Sequence, residues 1–295
     1  MTLQTALAEG KRLLKDPCPE AFIDTPELDA TLLLAETLHL RREELILRGE
    51  DPITEADNAK YNSLLERRRS GECVAYILGR KEFRGLEFTV NPTVLVPRPE
   101  TETLLEAALD CVDSLAAQGI CSPSVLDLCT GSGALAISLK NERLFVNVTA
   151  SDISAEALET VALNVARLTE NRLRFPGEPA VNLIRSDLFE NIPEKFNIII
   201  SNPPYIPTGK LSALAPELQR EPRLALDGGE DGLDLIRTII SKAPGHLLSD
   251  GFLLLEAGPE QMPEIRILLE NNHFGEVTIR KDLAGLERVI SGKIK

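Results

Sequence analysis

The 295-residue chain is 43% hydrophobic and 26% charged, the composition of a soluble protein long enough for two domains or for one large domain with an appendage. No apolar stretch reaches the length of a membrane span, and Met1-Thr2-Leu3-Gln4 does not open a signal peptide, so a cytoplasmic protein is expected. A formal net charge of −14 speaks against a nucleic-acid binder, which needs basic surface to meet phosphate, and favours a protein or small-molecule substrate.

The first 75 or so residues read as helices. One is expected over 4–15. A second begins at Pro26 behind Thr25 as cap, with Leu28, Leu32, Leu33 and Leu34 on its apolar side. A short one near 41–48 follows, then one capped by Thr54 that runs to Arg69 and stops at Gly71. The triplet Arg67-Arg68-Arg69 sits at that helix end, where its charge complements the helix dipole. The bundle carries no cofactor motif, which suits a docking or structural module. From Lys81 to Pro97, Phe83, Phe88, Val90, Val94, Leu95 and Val96 are strand formers broken by Gly85 and Asn91-Pro92, which predicts a hairpin. Pro97-Arg98-Pro99-Glu100-Thr101-Glu102 then opens a helix through about Leu115.

After Ser122 strands and helices alternate, the sign of a parallel sheet covered on both faces. Strands are expected over 124–128, 145–150, 181–184, 196–201 and 251–256, with helices over 134–140 and 155–168. Residues 277–280 and 287–294 read as an antiparallel pair closing the sheet, and 171–179 and 208–222 as loops. The first of these strands leads into Cys129-Thr130-Gly131-Ser132-Gly133, a glycine turn before a helix, as in ligand sites at the carboxyl ends of open α/β sheets. The dinucleotide fingerprint is absent, because Ala134, Leu135 and Ala136 follow, and Cys129 stands where many nucleotide loops have a glycine. Asp152, at the next strand end, is placed to accept from ribose hydroxyls or else to cap the following helix. Ser186-Asp187-Leu188-Phe189 supplies a further acidic tip, suited to the edge of an adenine ring.

Beside these tips lies Asn202-Pro203-Pro204-Tyr205. A carboxamide, two residues without N–H groups and a flat ring with a polar tip make a rigid grip for a planar amide or amino group. The plainer reading is a turn that ends a strand. Five scattered cysteines without a C-x-x-C pair read as reduced thiols, and His39, His246 and His273 as surface or packing residues, so no metal site is expected.

Asp127–Gly133, Asp152, Ser186-Asp187 and Asn202–Tyr205 resemble the motifs of S-adenosylmethionine-dependent methyltransferases of the Rossmann-like class I. Phe83-x-Gly85-x-x-Phe88, the run from Val94 to Glu102 and the run from Glu221 to Gly229 are similar to the peptide chain release factor N5-glutamine methyltransferases, the PrmC/HemK family. The resemblance covers most of the chain. It implies an α/β fold with a mostly parallel seven-stranded sheet and an antiparallel terminal strand. A helical bundle for release-factor docking (1–78), a β-hairpin linker (79–97) and a methyltransferase domain (98–295) would make up the chain. It implies S-adenosyl-L-methionine as methyl donor, S-adenosyl-L-homocysteine as product, no metal, and a class I release factor as protein partner in translation termination. No direct nucleic-acid or membrane partner and a monomer complete the expectation.

By the same resemblance Asn202, Pro203 and Tyr205 are catalytic. Asp127, Cys129, Thr130, Gly131, Ser132, Gly133, Asp152, Ile153, Asp187, Leu188 and Asn202 hold the cofactor, and Asn202, Pro203, Pro204, Tyr205, Arg98 and Glu100 hold the substrate. Two departures stand out: Cys129 replaces a frequent glycine, tolerable where its backbone torsions are ordinary, and Leu188 replaces an aromatic residue of some members. Methylation of a glutamine in ribosomal protein uL3, adenine-N6 methylation of nucleic acid and a non-enzymatic cofactor-binding scaffold remain as alternatives.

Overall fold

A computed structural model describes residues 1–18, 21–169 and 180–295, so the loop expected over 171–179 lies outside the described residues. The chain divides into two units. One comprises residues 1–80 and 213–220, the other residues 81–212 and 221–295.

The first unit holds α1 (Leu3–Leu14), α2 (Pro26–Leu38), α3 (Arg42–Leu47), α4 (Glu55–Arg69) and α5 (Val74–Leu78), the last not anticipated. Thr54 caps α4 by accepting from the Asp57 N–H at 3.1 Å. Thr25 does not cap α2: its hydroxyl turns to Asp29 Oδ1 at 2.9 Å. The inward face of α2 is Ala30, Leu33 and Leu34, while Leu28 is exposed. Leu3, Leu14 and Leu65 pack with them around Tyr61, whose hydroxyl donates to the Ala30 carbonyl at 3.0 Å.

The arginine triplet is divided. Arg67 pairs with Glu72 at the surface. Arg68 is buried, with Nε 2.6 Å from Asp29 Oδ2 and Nη2 paired to Glu217. A dipole-complementing surface charge was expected there; the structure makes Arg68 an interior brace that ties residues 213–220 into the helical unit.

From Lys81 the second unit takes up the hairpin of β1 (Arg80–Phe83) and β2 (Leu86–Thr89), turned at Arg84 and Gly85. Both turn residues have positive φ (51° and 73°), the pattern of tight hairpins. A 3₁₀ turn over Pro99–Thr101 leads into α6 (Glu102–Ala117). Then come β3 (Ser124–Leu128), α7 (Ala134–Glu142), β4 (Asn147–Asp152), α8 (Ala155–Thr169), β5 (Asn182–Arg185) and β6 (Phe196–Ser201). The chain ends through α9 (Asp234–His246), β7 (Leu247–Glu256), α10 (Met262–Asn271), β8 (Phe274–Lys281) and β9 (Glu287–Ile294).

The seven strands lie in the order β5-β4-β3-β6-β7-β9-β8. The first five are mutually parallel, and β9 runs antiparallel to both its neighbours. Side-chain alternation feeds two cores. Val125, Ile198 and Ile200 face α6, α7 and α8, while Leu126, Leu128 and Ile199 face α9 and α10. Val125, Leu126 and Leu128 of β3 and Ile198–Ile200 of β6 are buried, which explains why these central positions are apolar. The chain winds outward from β3 through β4 to β5, then returns to place β6 on the other flank of β3. Such a reversal opens a crevice at the carboxyl ends of the strands.

Candidate active site

Register puts the functional tips side by side. Leu128 pairs with Ser151 of β4 and with Ser201 of β6, so the residues just beyond these three strand ends meet at one edge of the sheet. The tips surround a cavity of about 510 Å³, a size typical of small-ligand sites. Cys129, Gly131, Asp152, Ile153, Asp187, Leu188, Asn202 and Pro204 line it, all from the expected set.

The glycine loop is held from beneath by Asp127. Its Oδ2 accepts from the Thr130 hydroxyl at 2.6 Å and from the Ala136 N–H at 3.3 Å, joining strand, loop and the start of α7. Its Oδ1 is buried without a partner among the described residues. Burial pushes the carboxyl up to about 7, against the opposing Thr130 and Ala136 bonds. Thr130, Ser132 and Gly133 likewise lie behind the cavity wall: the Ser132 carbonyl accepts from Asn164 Nδ2 at 2.9 Å. A Cβ at Gly133 would come within 2.9 Å of Val161 Cγ1, so only glycine fits, whereas Gly131 faces open space.

Cys129 does not meet the condition of ordinary torsions. Its φ is +58°, in the left-handed region where a side chain is strained. Its thiol lies beside Ser201, and burial with the neighbouring carboxylates, Asp152 first, pushes it up to about 12. Leu188 is also left-handed, at φ +47°.

Asp152 serves as both a loop brace and a helix-entry acceptor. Oδ2 accepts the Gly131 N–H and Oδ1 the Ser154 N–H, each at 3.0 Å, so the carboxylate serves the entry to the following helix and, in addition, the glycine loop. Burial raises its carboxyl above the usual range, although three backbone donors oppose this. The cavity offers two acidic tips, Asp152 and Asp187, and apolar walls from Ile153, Leu188, Val94 and Leu224. A flat heteroaromatic ring joined to a diol matches that set of acceptors and apolar walls. The walls from residues 93–95 and 222–225 were not foreseen as such, though both segments stood out as motifs in the sequence.

Asn202 turns its Nδ2 to Thr101 Oγ1 at 3.1 Å. Pro203 is buried behind the cavity wall and Pro204 reaches it. The Tyr205 hydroxyl donates to Glu256 Oε1 at 3.4 Å and its carbonyl accepts from Gln261 Nε2 at 3.0 Å. Burial raises the Tyr205 phenol. Beyond the tetrapeptide, Ile206 N–H donates to the Leu226 carbonyl at 3.0 Å and Gly228 N–H to the Ile206 carbonyl at 2.9 Å. Gly228 lies so close that a Cβ would fall 2.8 Å from the Pro204 carbonyl oxygen. The two motif segments, 202–205 and 221–229, are therefore one ledge, hydrogen-bonded through Ile206 and packed closely at Pro204 and Gly228.

Arg98 and Glu100, expected to touch substrate, are not in the cavity wall. The Arg98 guanidinium is engaged by Glu221, whose other oxygen accepts the Val96 N–H at 3.2 Å. Arg98 thereby fixes the run entering α6 against the 221–229 ledge. Glu100 faces Glu256, a buried carboxyl at the end of β7 that sequence reasoning missed. Burial pushes Glu256 up to about 7, and its Oε2 has no partner among the described residues. Among the described residues no group of histidines, cysteines and carboxylates is arranged to hold a metal ion. No helix among them is long and apolar enough to cross a membrane.

Comparison with known proteins follows the same division. The PrmC N-terminal domain matches residues 5–79, and the methyltransferase small domain matches residues 108–229. A release factor glutamine methyltransferase of Burkholderia pseudomallei is 41% identical over 269 residues, covering 90% of this chain and 92% of the relative. One of Neisseria gonorrhoeae is 42% identical over 271 residues, covering 91% and 93%. Among solved structures, a T. thermophilus 16S rRNA methyltransferase in complex with AdoMet and guanosine shares the fold. Its TM-score is 0.50 at 22% identity, over 73% of this chain and 50% of that one.

Proposed function

The chain belongs to the release factor glutamine methyltransferase family, and from that premise we propose how its cavity methylates the glutamine side chain of the Gly-Gly-Gln motif in class I release factors. The methyl donor is S-adenosylmethionine. The observation that carries the reading is Asn202: with Nδ2 given to Thr101, its Oδ1 is the group left to accept from an amide at the cavity edge.

Asp152 would receive the ribose diol, Asp187 and Leu188 the adenine, and Gly131 the close approach of the cofactor chain. When bound, S-adenosylmethionine supplies a methyl group activated by the positive sulfonium. The protein's own task is alignment, because an amide nitrogen is a poor nucleophile with its lone pair delocalised into the carbonyl. Asn202 Oδ1 and the Pro203 carbonyl accept the two amide hydrogens, which fixes the nitrogen and offsets its developing positive charge. Tyr205, held through its hydroxyl by Glu256, backs the grip with its ring. The surplus proton leaves the nitrogen after methylation, when it is strongly acidic. The helical unit docks the release factor, and the enzyme acts in the cytoplasm as a monomer.

Mass spectrometry of a class I release factor incubated with the enzyme and S-adenosylmethionine tests the reading. A gain of about 14 daltons, one methyl, is expected on the Gly-Gly-Gln glutamine. No gain there, or a gain only on a ribosomal protein or on nucleic acid, sinks the assignment.

A further inference from the structure

We propose that Glu256 is a positioning residue for methyl transfer, acting through the Thr101 hydroxyl to keep the Asn202 carboxamide oxygen turned toward the substrate; this rests on the glutamine-methylation reading above. The two ends of a carboxamide are nearly equal in size, so shape alone does not decide which one faces the cavity. Hydrogen-bond direction does. Thr101 is buried, and its Oγ1 lies 3.1 Å from Asn202 Nδ2. Having one proton, the hydroxyl accepts from Nδ2 only while it sends that proton elsewhere. The inferred recipient is Glu256, whose Oε2 is buried and has no other partner among the described residues. Its carboxyl is fully buried, interacts with the Thr101 hydroxyl and also accepts from Tyr205 at 3.4 Å. Strand pairing fixes its place: Leu255 is in register with Ser201, directly before Asn202, and Glu256 with Val289 of β9. Glu256 thus joins the two polar ends of the tetrapeptide, Asn202 and Tyr205.

An acceptor at position 256 sets the chain of bonds in one sense. A donor there would feed Thr101 a hydrogen and free the threonine proton to turn toward Asn202. The carboxamide would then flip and present N–H groups to a substrate amide that also offers N–H groups. Protonation of Glu256 has the same consequence. The charged or titratable groups facing it are Glu100 from the turn before α6, Tyr205 from the ledge and Arg288 from β9.

The test compares E256Q, T101V and T101S with wild type in the full-length enzyme. E256Q and T101V should lower kcat about 30-fold, the effect of one misdirected buried hydrogen bond, while cofactor affinity measured by calorimetry stays within about threefold. T101S keeps the hydroxyl and should restore kcat to within about threefold of wild type. Wild-type kcat should fall as pH drops through 7, and E256Q should lose that dependence. A release factor carrying glutamate in place of the Gly-Gly-Gln glutamine is the decisive probe. As an inhibitor it should bind wild type at least tenfold more weakly than the glutamine form, and the two should bind E256Q about equally. Wild-type turnover by E256Q, T101S as impaired as T101V, or unchanged discrimination against glutamate would each overturn the proposal. If the wild-type enzyme places no methyl on glutamine, the functional reading falls first; if it does and the variants match it, this inference alone falls.

Discussion

Asp152 and Gly131 are joined at the mouth of the cavity, the carboxylate of one accepting the amide hydrogen of the other at 3.0 Å. The bond couples the end of β4 to the glycine loop after β3, so a single side chain both shapes the loop and faces the proposed ribose site. Asp152→Ala should weaken S-adenosylmethionine binding about 100-fold by calorimetry, since two backbone donors and a diol lose one charged acceptor. An affinity within twofold of wild type would remove the assignment.

At the other side of the cavity the expected effect is on turnover rather than on binding. Asn202→Ala should leave cofactor affinity within about threefold and lower kcat by about 100-fold or more, as for loss of one preorganised group that acts on developing charge. Rapid-quench methylation assays with saturating cofactor read this directly. Full activity in that variant would contradict the amide grip.

Cys129 occupies a backbone conformation suited to glycine. Replacement by valine, branched at Cβ, should destabilise the protein by about 2 kcal/mol more than replacement by glycine. Urea unfolding of C129G and C129V is the measurement, and equal midpoints would show that the φ of +58° carries no strain.

The two buried carboxyls, Asp127 and Glu256, each retain an unpartnered oxygen and are pushed up to about 7 by burial. Their folded-state values exceed the unfolded ones, so the folded state holds protons that the unfolded chain releases. Their contribution is therefore most favourable at low pH and is lost as pH rises from about 4 to about 7. Asp127→Asn should gain ~2 kcal/mol of stability relative to wild type between pH 5 and pH 8. A difference independent of pH would mean that Asp127 remains ionised throughout.

In the helical unit, Arg68→Met leaves Asp29 and Glu217 without their shared cation. Removing one partner of a buried ion group destabilises by about 3–5 kcal/mol. Faster amide exchange across α2 and α4 is expected, with part of the protection regained in the D29N/R68M double variant. Unchanged exchange would place Arg68 outside the stability of the bundle.

Much of this arrangement was legible in the sequence because it depends on local signals. The strand-forming run Val125–Leu128, apolar but for Asp127, and the apolar run Ile198–Ile200, each followed by turn chemistry, fix both the strands and the cavity edge where they end. Asp152 and Asn202 were found for the same reason: each directly follows a strand. What escaped notice depends on partners distant in sequence. Glu256 ends an apolar strand and looks like a solvated stop until the turn before α6, the tetrapeptide and β9 close over it. Arg68 and Arg98 read as surface or substrate charges, because Glu217 and Glu221 lie more than 100 residues away. The φ of Cys129 likewise has no signature in residue type. Torsions and long-range ion pairs are settled by packing, which no periodicity reports.

The polypeptide passes between its two units three times, after residues 80, 212 and 220. A gene fragment starting at residue 81 therefore does not encode a free-standing module. It also encodes residues 213–220, and with them a Glu217 whose Arg68 has been left behind and an Arg220 deprived of the Ser70 carbonyl. Recombination at the obvious N-terminal boundary would exchange only one part of a matched set. In any chimera built from this family, the first 80 residues and the eight-residue insert have to be taken from the same parent.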